Sequence, residues 1–162
     1  MRSKPGVKCL SERLRPGLYL VATPIGNLLD LSLRAIEVLQ NVDVIACEDT
    51  RITSKILNRH NIKTDMKTYH EHNATRVRPA ILSKIKQGGA IALVSDAGTP
   101  TISDPGYKLV KECIDLGINI STTPGANAAI TGLLLSGLPT NRFLFAGFLS
   151  SKTNQRRNEL EE

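Results

Sequence analysis

Apolar residues in this chain gather into short runs, and between the runs they recur at helical spacing. LYLVA at 18–22, DVIAC at 43–47, MKTY at 66–69, AIALVS at 90–95 and INIST at 118–122 have the length of strands buried in a parallel sheet. Amphipathic segments at 31–40, 51–59, 74–87, 105–116 and 126–136 alternate with them. Leu33, Ile36, Val38 and Leu39 make one helical stripe, and Leu109, Val110, Cys113, Ile114 and Leu116 make another. Strand and helix in strict alternation predict βαβ units. The expected fold is α/β: one doubly wound, mainly parallel five-stranded sheet with flanking helices.

Boundary signals agree with this pattern. Asp104 ahead of Pro105 predicts an N-cap followed by Pro at the first helical position. Gly88-Gly89 and Gly117 stand where helices should end, just before the fourth and fifth strands. After Leu138 the character changes. Pro139 to Arg142 reads as a linker, FLFAGF at 143–148 as a new strand, and Leu149 to Glu162 as a polar stretch. The domain expectation is therefore a basic extension at 1–16, an α/β domain at 17–138, a linker at 139–142, and the start of a second domain at 143–162 whose remainder is missing.

Composition narrows the picture. The chain has 162 residues, 41% hydrophobic and 22% charged, with 4% aromatic and no Trp, enough for one core built from Val, Ile, Leu and Ala. A net charge of +6 favours a polyanionic partner. Part of that excess lies in Arg2, Lys4, Lys8, Arg13 and Arg15, which read equally well as a solvated basic tail. Cys9, Cys47 and Cys113 are odd in number and widely spaced, the pattern of free thiols in a reducing compartment, so a cytoplasmic protein is expected. No secretion signal or membrane span is expected, because the richest apolar stretch, 128–138, is interrupted by Thr131, Gly132, Ser136 and Gly137.

Ligands of open parallel sheets bind beyond the carboxyl ends of the strands. Three loops leaving those ends are rich in Gly, Pro and small polar residues: Thr23-Pro24-Ile25-Gly26-Asn27, Asp96-Ala97-Gly98-Thr99-Pro100, and Thr123-Pro124-Gly125-Ala126-Asn127. Gly admits positive φ and close approach of a ligand to the backbone, and Pro fixes the trace. A nucleoside-like ligand held by main-chain groups is one reading, and ordinary tight turns are the other. No G-x-G-x-x-G follows the first strand and no Gly-Lys pair occurs, which argues against a dinucleotide enzyme or a P-loop NTPase.

The second strand ends in Cys47-Glu48-Asp49-Thr50-Arg51. Glu48 or Asp49 is a candidate proton acceptor and Arg51 a candidate phosphate ligand. Equally, Asp49 or Thr50 caps the next helix and Arg51 pairs with Glu48. His70-Glu71-His72-Asn73 ends the third strand, with both His on one face of an extended segment, but two His without a third ligand make a poor metal site and none is expected.

The three loops and the acidic strand end resemble the tetrapyrrole-methylase-like family, two-domain α/β methyltransferases that bind S-adenosylmethionine between domains. Pro24-Ile25-Gly26, Gly98-Thr99-Pro100 and Pro124-Gly125-Ala126 carry the likeness. Within the family, VATPIGNLLDLSLRA (21–35), CEDTR (47–51), YHEHN (69–73) and SDAGTPTISDPG (95–106) are similar to the branch that methylates small-subunit ribosomal RNA. The resemblance implies 2′-O-methylation of a cytidine ribose in 16S rRNA, with the 30S subunit as partner and a homodimer at full length. It places Pro24, Ile25, Gly26, Asp96, Gly98, Thr99, Pro100, Ile102, Pro124, Gly125 and Ala126 around the cofactor. Glu48, Asp49, Arg51 and His70 fall on the substrate side, with Glu48 or Asp49 nominated as base. Without most of the second domain the chain is expected to bind S-adenosylmethionine weakly and not to methylate RNA. The competing expectations are a non-enzymatic remnant or RNA-binding module, and a methyltransferase of the same family acting on a tetrapyrrole or a protein side chain.

Overall fold

A computed structural model describes residues 14–161. Most of the basic extension, with Cys9, lies outside the described residues. The chain divides into two compact units, one ending at Asn127 and the other starting at Ala128.

In the first unit five strands form one sheet: β1 (Gly17–Val21), β2 (Val44–Cys47), β3 (Met66–Thr68), β4 (Ala90–Leu93) and β5 (Ile120–Thr123). Their order is β3-β2-β4-β1-β5, and every pair is parallel. Four helices cross between them: α1 (Leu33–Asn41), α2 (Thr50–Arg59), α3 (Ala74–Lys86) and α4 (Tyr107–Asp115). Successive strand residues point to opposite faces, so the buried strands feed two cores. On one face Tyr19, Val21, Ile45, Cys47, Ala92 and Val94 meet Ala35, Val38 and Leu39 of α1 and Ile56 and Leu57 of α2. On the other, Leu18, Ala46, Ile91 and Leu93 meet Val77, Ile81 and Ile85 of α3 and Leu109 and Cys113 of α4.

The expected elements are present, with two stripes corrected. Leu33 is the first residue of α1 and is 78% exposed, and the buried face runs instead through Ala35, Val38 and Leu39, spaced as i, i+3 and i+4. On α4 only Leu109 and Cys113 are fully buried, because Ile114 lies more than a quarter-turn beyond Cys113 and Leu116 is the C-cap past the end of the helix, and both reach solvent. The α4 N-cap is also corrected. Gly106, at φ +133, occupies the position, while Asp104 hydrogen-bonds Ser95 and makes no cap.

Three of these four helices end alike. After α2, α3 and α4 the residues Asn61, Gly88 and Gly117 take positive φ. The next amide bonds a carbonyl five residues back: Ile62 to Leu57 at 2.9 Å, Gly89 to Lys84 at 3.0 Å and Ile118 to Cys113 at 2.9 Å. This is the Schellman arrangement, which closes orphan carbonyls and turns the chain into the next strand.

The second unit holds α5 (Ala128–Leu135) and α6 (Thr153–Glu161). Residues 143–148, expected as a strand, carry no regular structure. A strand takes its hydrogen bonds from a neighbour, and no ladder among the described residues includes them. Ahead of α6 the Ser150 amide donates to the Glu159 carboxylate at 2.8 Å and the Lys152 amide to the Ser150 hydroxyl at 3.2 Å. Among the described residues no helix is long and apolar enough to cross a membrane.

Candidate functional site

Because all five strands are parallel, the loops leaving β1, β2, β3, β4 and β5 emerge at one rim of the sheet. The turns after β1 and β4 are joined directly. Thr23 and Gly98 exchange backbone hydrogen bonds of 2.9 Å in both directions. The buried Thr23 hydroxyl also donates to the Ser95 carbonyl at 3.0 Å. The turn after β5 joins them through Thr99, whose hydroxyl donates to the Ala126 carbonyl at 3.0 Å.

Two glycines permit this convergence. A Cβ on Gly98, at φ +83, would lie 3.4 Å from the Ile25 side chain and 3.8 Å from the Ala126 carbonyl. A Cβ on Gly125 would come within 2.9 Å of the Ala22 Cβ. Pro24, Gly26, Pro100 and Pro124 sit in these same turns, and Ile102 stands exposed beside them. The stretch after Gly98 is strained, since Thr101 and Ser103 hold φ of +74 and +58 without being glycine. Such conformations cost on the order of 1 kcal/mol each and persist where surrounding structure imposes them.

The acidic strand end resolves into two carboxylates with different environments. Asp49 caps α2, accepting from the Arg51 amide at 2.8 Å, and binds the Arg51 guanidinium through Nε and Nη2 at 3.0 and 2.6 Å. Arg51 therefore pairs with Asp49, not with Glu48. Those hydrogen bonds hold the Asp49 carboxyl down at about 2. Glu48 is half-buried, and burial first, then Asp104 and Asp96, pushes its carboxyl above the ordinary range, against a hydrogen bond from the Asp96 backbone. Asp104 is likewise raised by burial and Asp96. Asp96 also clamps the two loops, its Oδ1 accepting from the Asp49 amide at 3.1 Å. One carboxylate at this rim is thus committed to structure, and the other holds a proton more readily than usual.

At the end of β3, Asn73 knits a turn. Its Oδ1 accepts from the His70 amide at 2.9 Å and its Nδ2 donates to the Thr68 carbonyl at 3.1 Å. The His70 and His72 rings meet edge to face at 6.0 Å, and His70 Nδ1 is buried without a partner. No group of three or more His, Cys, Asp or Glu among the described residues is arranged to hold a metal. Thr23, Ser95 and the carboxyl of Asp104 are parts of the rim that the sequence pattern did not single out as site residues. Thr23 and Ser95 read as ordinary strand-end polar residues, and only the fold shows them buried and bridging loops.

The sequence profile of the tetrapyrrole (corrin/porphyrin) methylases matches residues 17–162. A ribosomal RNA small subunit methyltransferase I from Mesorhizobium japonicum is 52% identical over 148 residues, 91% of this chain and 50% of that one. The Bacillus subtilis protein of the same name is 50% identical over 144 residues, 89% of this chain and 49% of its own. The chain thus spans about half the length of the curated relatives it matches. Among solved structures, uroporphyrin-III-C-methyltransferase from Thermus thermophilus superposes with a TM-score of 0.59 at 22% identity, covering 79% of this chain and 55% of that one, a likeness of fold.

Proposed function

The chain belongs to the tetrapyrrole (corrin/porphyrin) methylase family, on its small-subunit ribosomal RNA methyltransferase branch, and we propose that the protein methylates 16S rRNA with S-adenosylmethionine, at the 2′-oxygen of a cytidine ribose. The observation that carries the reading is the meeting of three small-residue turns at one strand rim, joined through Gly98, Thr99 and Ala126. Action in the cytoplasm on the 30S subunit, and a homodimer at full length, belong to the same reading.

The residues present suit this donor. Backbone groups of the turns and the side chains of Ile25 and Ile102 offer the mix of polar and apolar contact that an adenosyl group needs. Pro24, Gly26, Pro100, Pro124 and Gly125 fix the trace of the same turns. The carboxylates of Glu48, Asp96 and Asp104, which lie close enough to perturb one another, favour a cation nearby. S-adenosylmethionine, when bound, supplies a methyl group made electrophilic by its sulfonium.

What the chain must add is alignment and a proton acceptor. Glu48, with its raised carboxyl, accepts the proton leaving a ribose hydroxyl better than Asp49, whose carboxyl is held low by Arg51. Asp96 keeps the Glu48-Asp49 loop against the β4 turn, and this fixed geometry contributes several kcal/mol through orientation. Arg51 and His70 stand on the substrate side.

Tritiated-methyl transfer to 30S subunits, by the protein at the length of its relatives, tests the proposal. Label mapped to a ribose of 16S rRNA is expected. Label on a base, on ribosomal protein, or nowhere overturns it.

A further inference from the structure

Beyond the turns that meet at Gly98, a cavity of about 150 Å³ opens between the end of β3, the first half of α3 and the start of α4. Tyr69, Thr75, Arg78, Asp104, Gly106 and Lys108 are among the residues lining it. Arg78 is the informative one. Its side chain keeps 19% exposure, its Nε binds the Glu112 carboxylate at 2.7 Å, and its Nη1 is shut from solvent without any acceptor. The Tyr69 hydroxyl also lies against the guanidinium, but Nη1 itself has no acceptor, and because a buried N–H left so is costly, this N–H favours an oxygen brought by a ligand.

The start of α4 adds to the same preference. Gly106 occupies the N-cap and no side chain caps the helix. The amides of the first turn and the positive end of the helix dipole therefore favour an anion at the cavity wall. Lys108 brings a further positive charge. Two carboxylates oppose it. Glu71 is exposed at the wall, where solvent screens it, and Asp104 has Ser95 as its hydrogen-bond partner.

We propose that this cavity binds a single phosphate group, held by Arg78, Lys108 and the first turn of α4. Resting on the methyltransferase reading above, that phosphate is a backbone phosphate of the RNA next to the nucleotide presented to Glu48. Asp104 joins the two places, since it lines the cavity and also acts on the Glu48 carboxyl. Bidentate arginine contact is the expected mode, which separates Arg78 from an exchangeable point charge.

The test begins with inorganic phosphate and the chain as it stands, followed by amide NMR. The Tyr107, Lys108 and Leu109 amides are expected to shift on titration. Arg78→Lys, which keeps a cation for Glu112, should weaken phosphate about tenfold. Lys108→Gln, on an exposed side chain, should weaken it about threefold while leaving the fold intact. Unmoved α4 amides, or a double variant that binds phosphate like the parent, overturn the site. A short single-stranded RNA should displace the phosphate, and the same RNA with methylphosphonate linkages should not. Failure of RNA to compete overturns the backbone assignment and leaves free phosphate as the ligand. The methyltransferase reading fails separately, as absence of S-adenosylmethionine binding and methyl transfer with the phosphate shifts unchanged.

Discussion

At the amino-terminal rim of the sheet, Gly88 and Gly117 turn helices into strands at φ +93 and +64, with open space where a Cβ would stand. At the carboxyl-terminal rim, Thr101 and Ser103 take positive φ without being glycine, Gly106 lies against Leu93, and Glu48, Asp96 and Asp104 crowd together. The first rim satisfies its backbone through three Schellman closures and asks little of its side chains. The second holds strain and like charge in place by bonding its loops to one another, through Thr23, Ser95, Thr99 and Asp96. The first rim's non-glycine residue at positive φ, Asn61 at +53, is of a type that tolerates it, whereas Thr101 and Ser103 at the second are not.

The largest test of this contrast lies within the carboxyl-terminal rim. Glu48→Gln in the protein at the length of its relatives should lower methyl transfer about 10²–10⁴-fold with S-adenosylmethionine binding retained. Asp49→Asn should cost less than about tenfold, because Asp49 acts through the helix cap and Arg51. Equal losses in the methyl-transfer assay would erase the distinction between the two carboxylates.

Next comes a pair of glycines. Gly106→Ala places a Cβ 2.6 Å from the buried Leu93 side chain at φ +133, and should cost about 2–3 kcal/mol in urea denaturation of this chain. Gly117→Ala meets nothing within 4 Å at φ +64, and should cost about 1 kcal/mol from the backbone alone. The reverse ordering would place the strain at the wrong rim.

A smaller effect should run the other way. Thr101→Gly removes the strain at φ +74 and should stabilise the fold by up to about 1 kcal/mol, while weakening S-adenosylmethionine binding at full length. Stabilisation with unchanged cofactor affinity would show the strain to be incidental.

The smallest is a pH effect. A carboxyl whose folded pKa is raised costs nothing while both states are protonated, and its destabilisation grows as pH rises through the ordinary carboxylate range toward the raised value. Asp104→Asn should therefore raise the melting temperature at neutral pH and leave it unchanged in acid. A gain of the same size at both pH values would point to packing instead of charge.

The elements of the first unit were legible because strands buried on both faces must be apolar and short, and helices covering them must carry a stripe. Hydrophobic pattern alone makes the stripes too wide. Leu33 and Ile114 fit the hydrophobic pattern yet face solvent, since helix rotation is fixed by which neighbours pack, as Ala35 and Cys113 do, and Leu116 is exposed because α4 ends before it. FLFAGF looked like a strand because apolar residues with aromatics favour one, but strand structure needs a paired neighbour. The N-cap at Asp104 failed for a related reason: a side chain that caps a helix in isolation was captured by Ser95 from the end of β4.

The candidate site divides in the same way. The composition of the three turns fixed where small residues and proline would bend the chain, and parallel βαβ order placed those turns on one rim. Which carboxylate is free could not be read from Glu48 and Asp49 side by side. It depends on Asp96, 47 residues further along, on Asp104, and on a cap that claims Asp49.

By itself the sequence determined the periodicities, and with them an alternating parallel fold whose small-residue turns leave the strands' carboxyl ends. Those are local properties, set by side-chain size, branching and backbone freedom. The tertiary structure alone decided which charges become neighbours, which turns bond to one another and which arginine is left with a buried, unanswered donor. Electrostatics and hydrogen bonding depend on distances through space, and folding brings together groups that the chain keeps far apart.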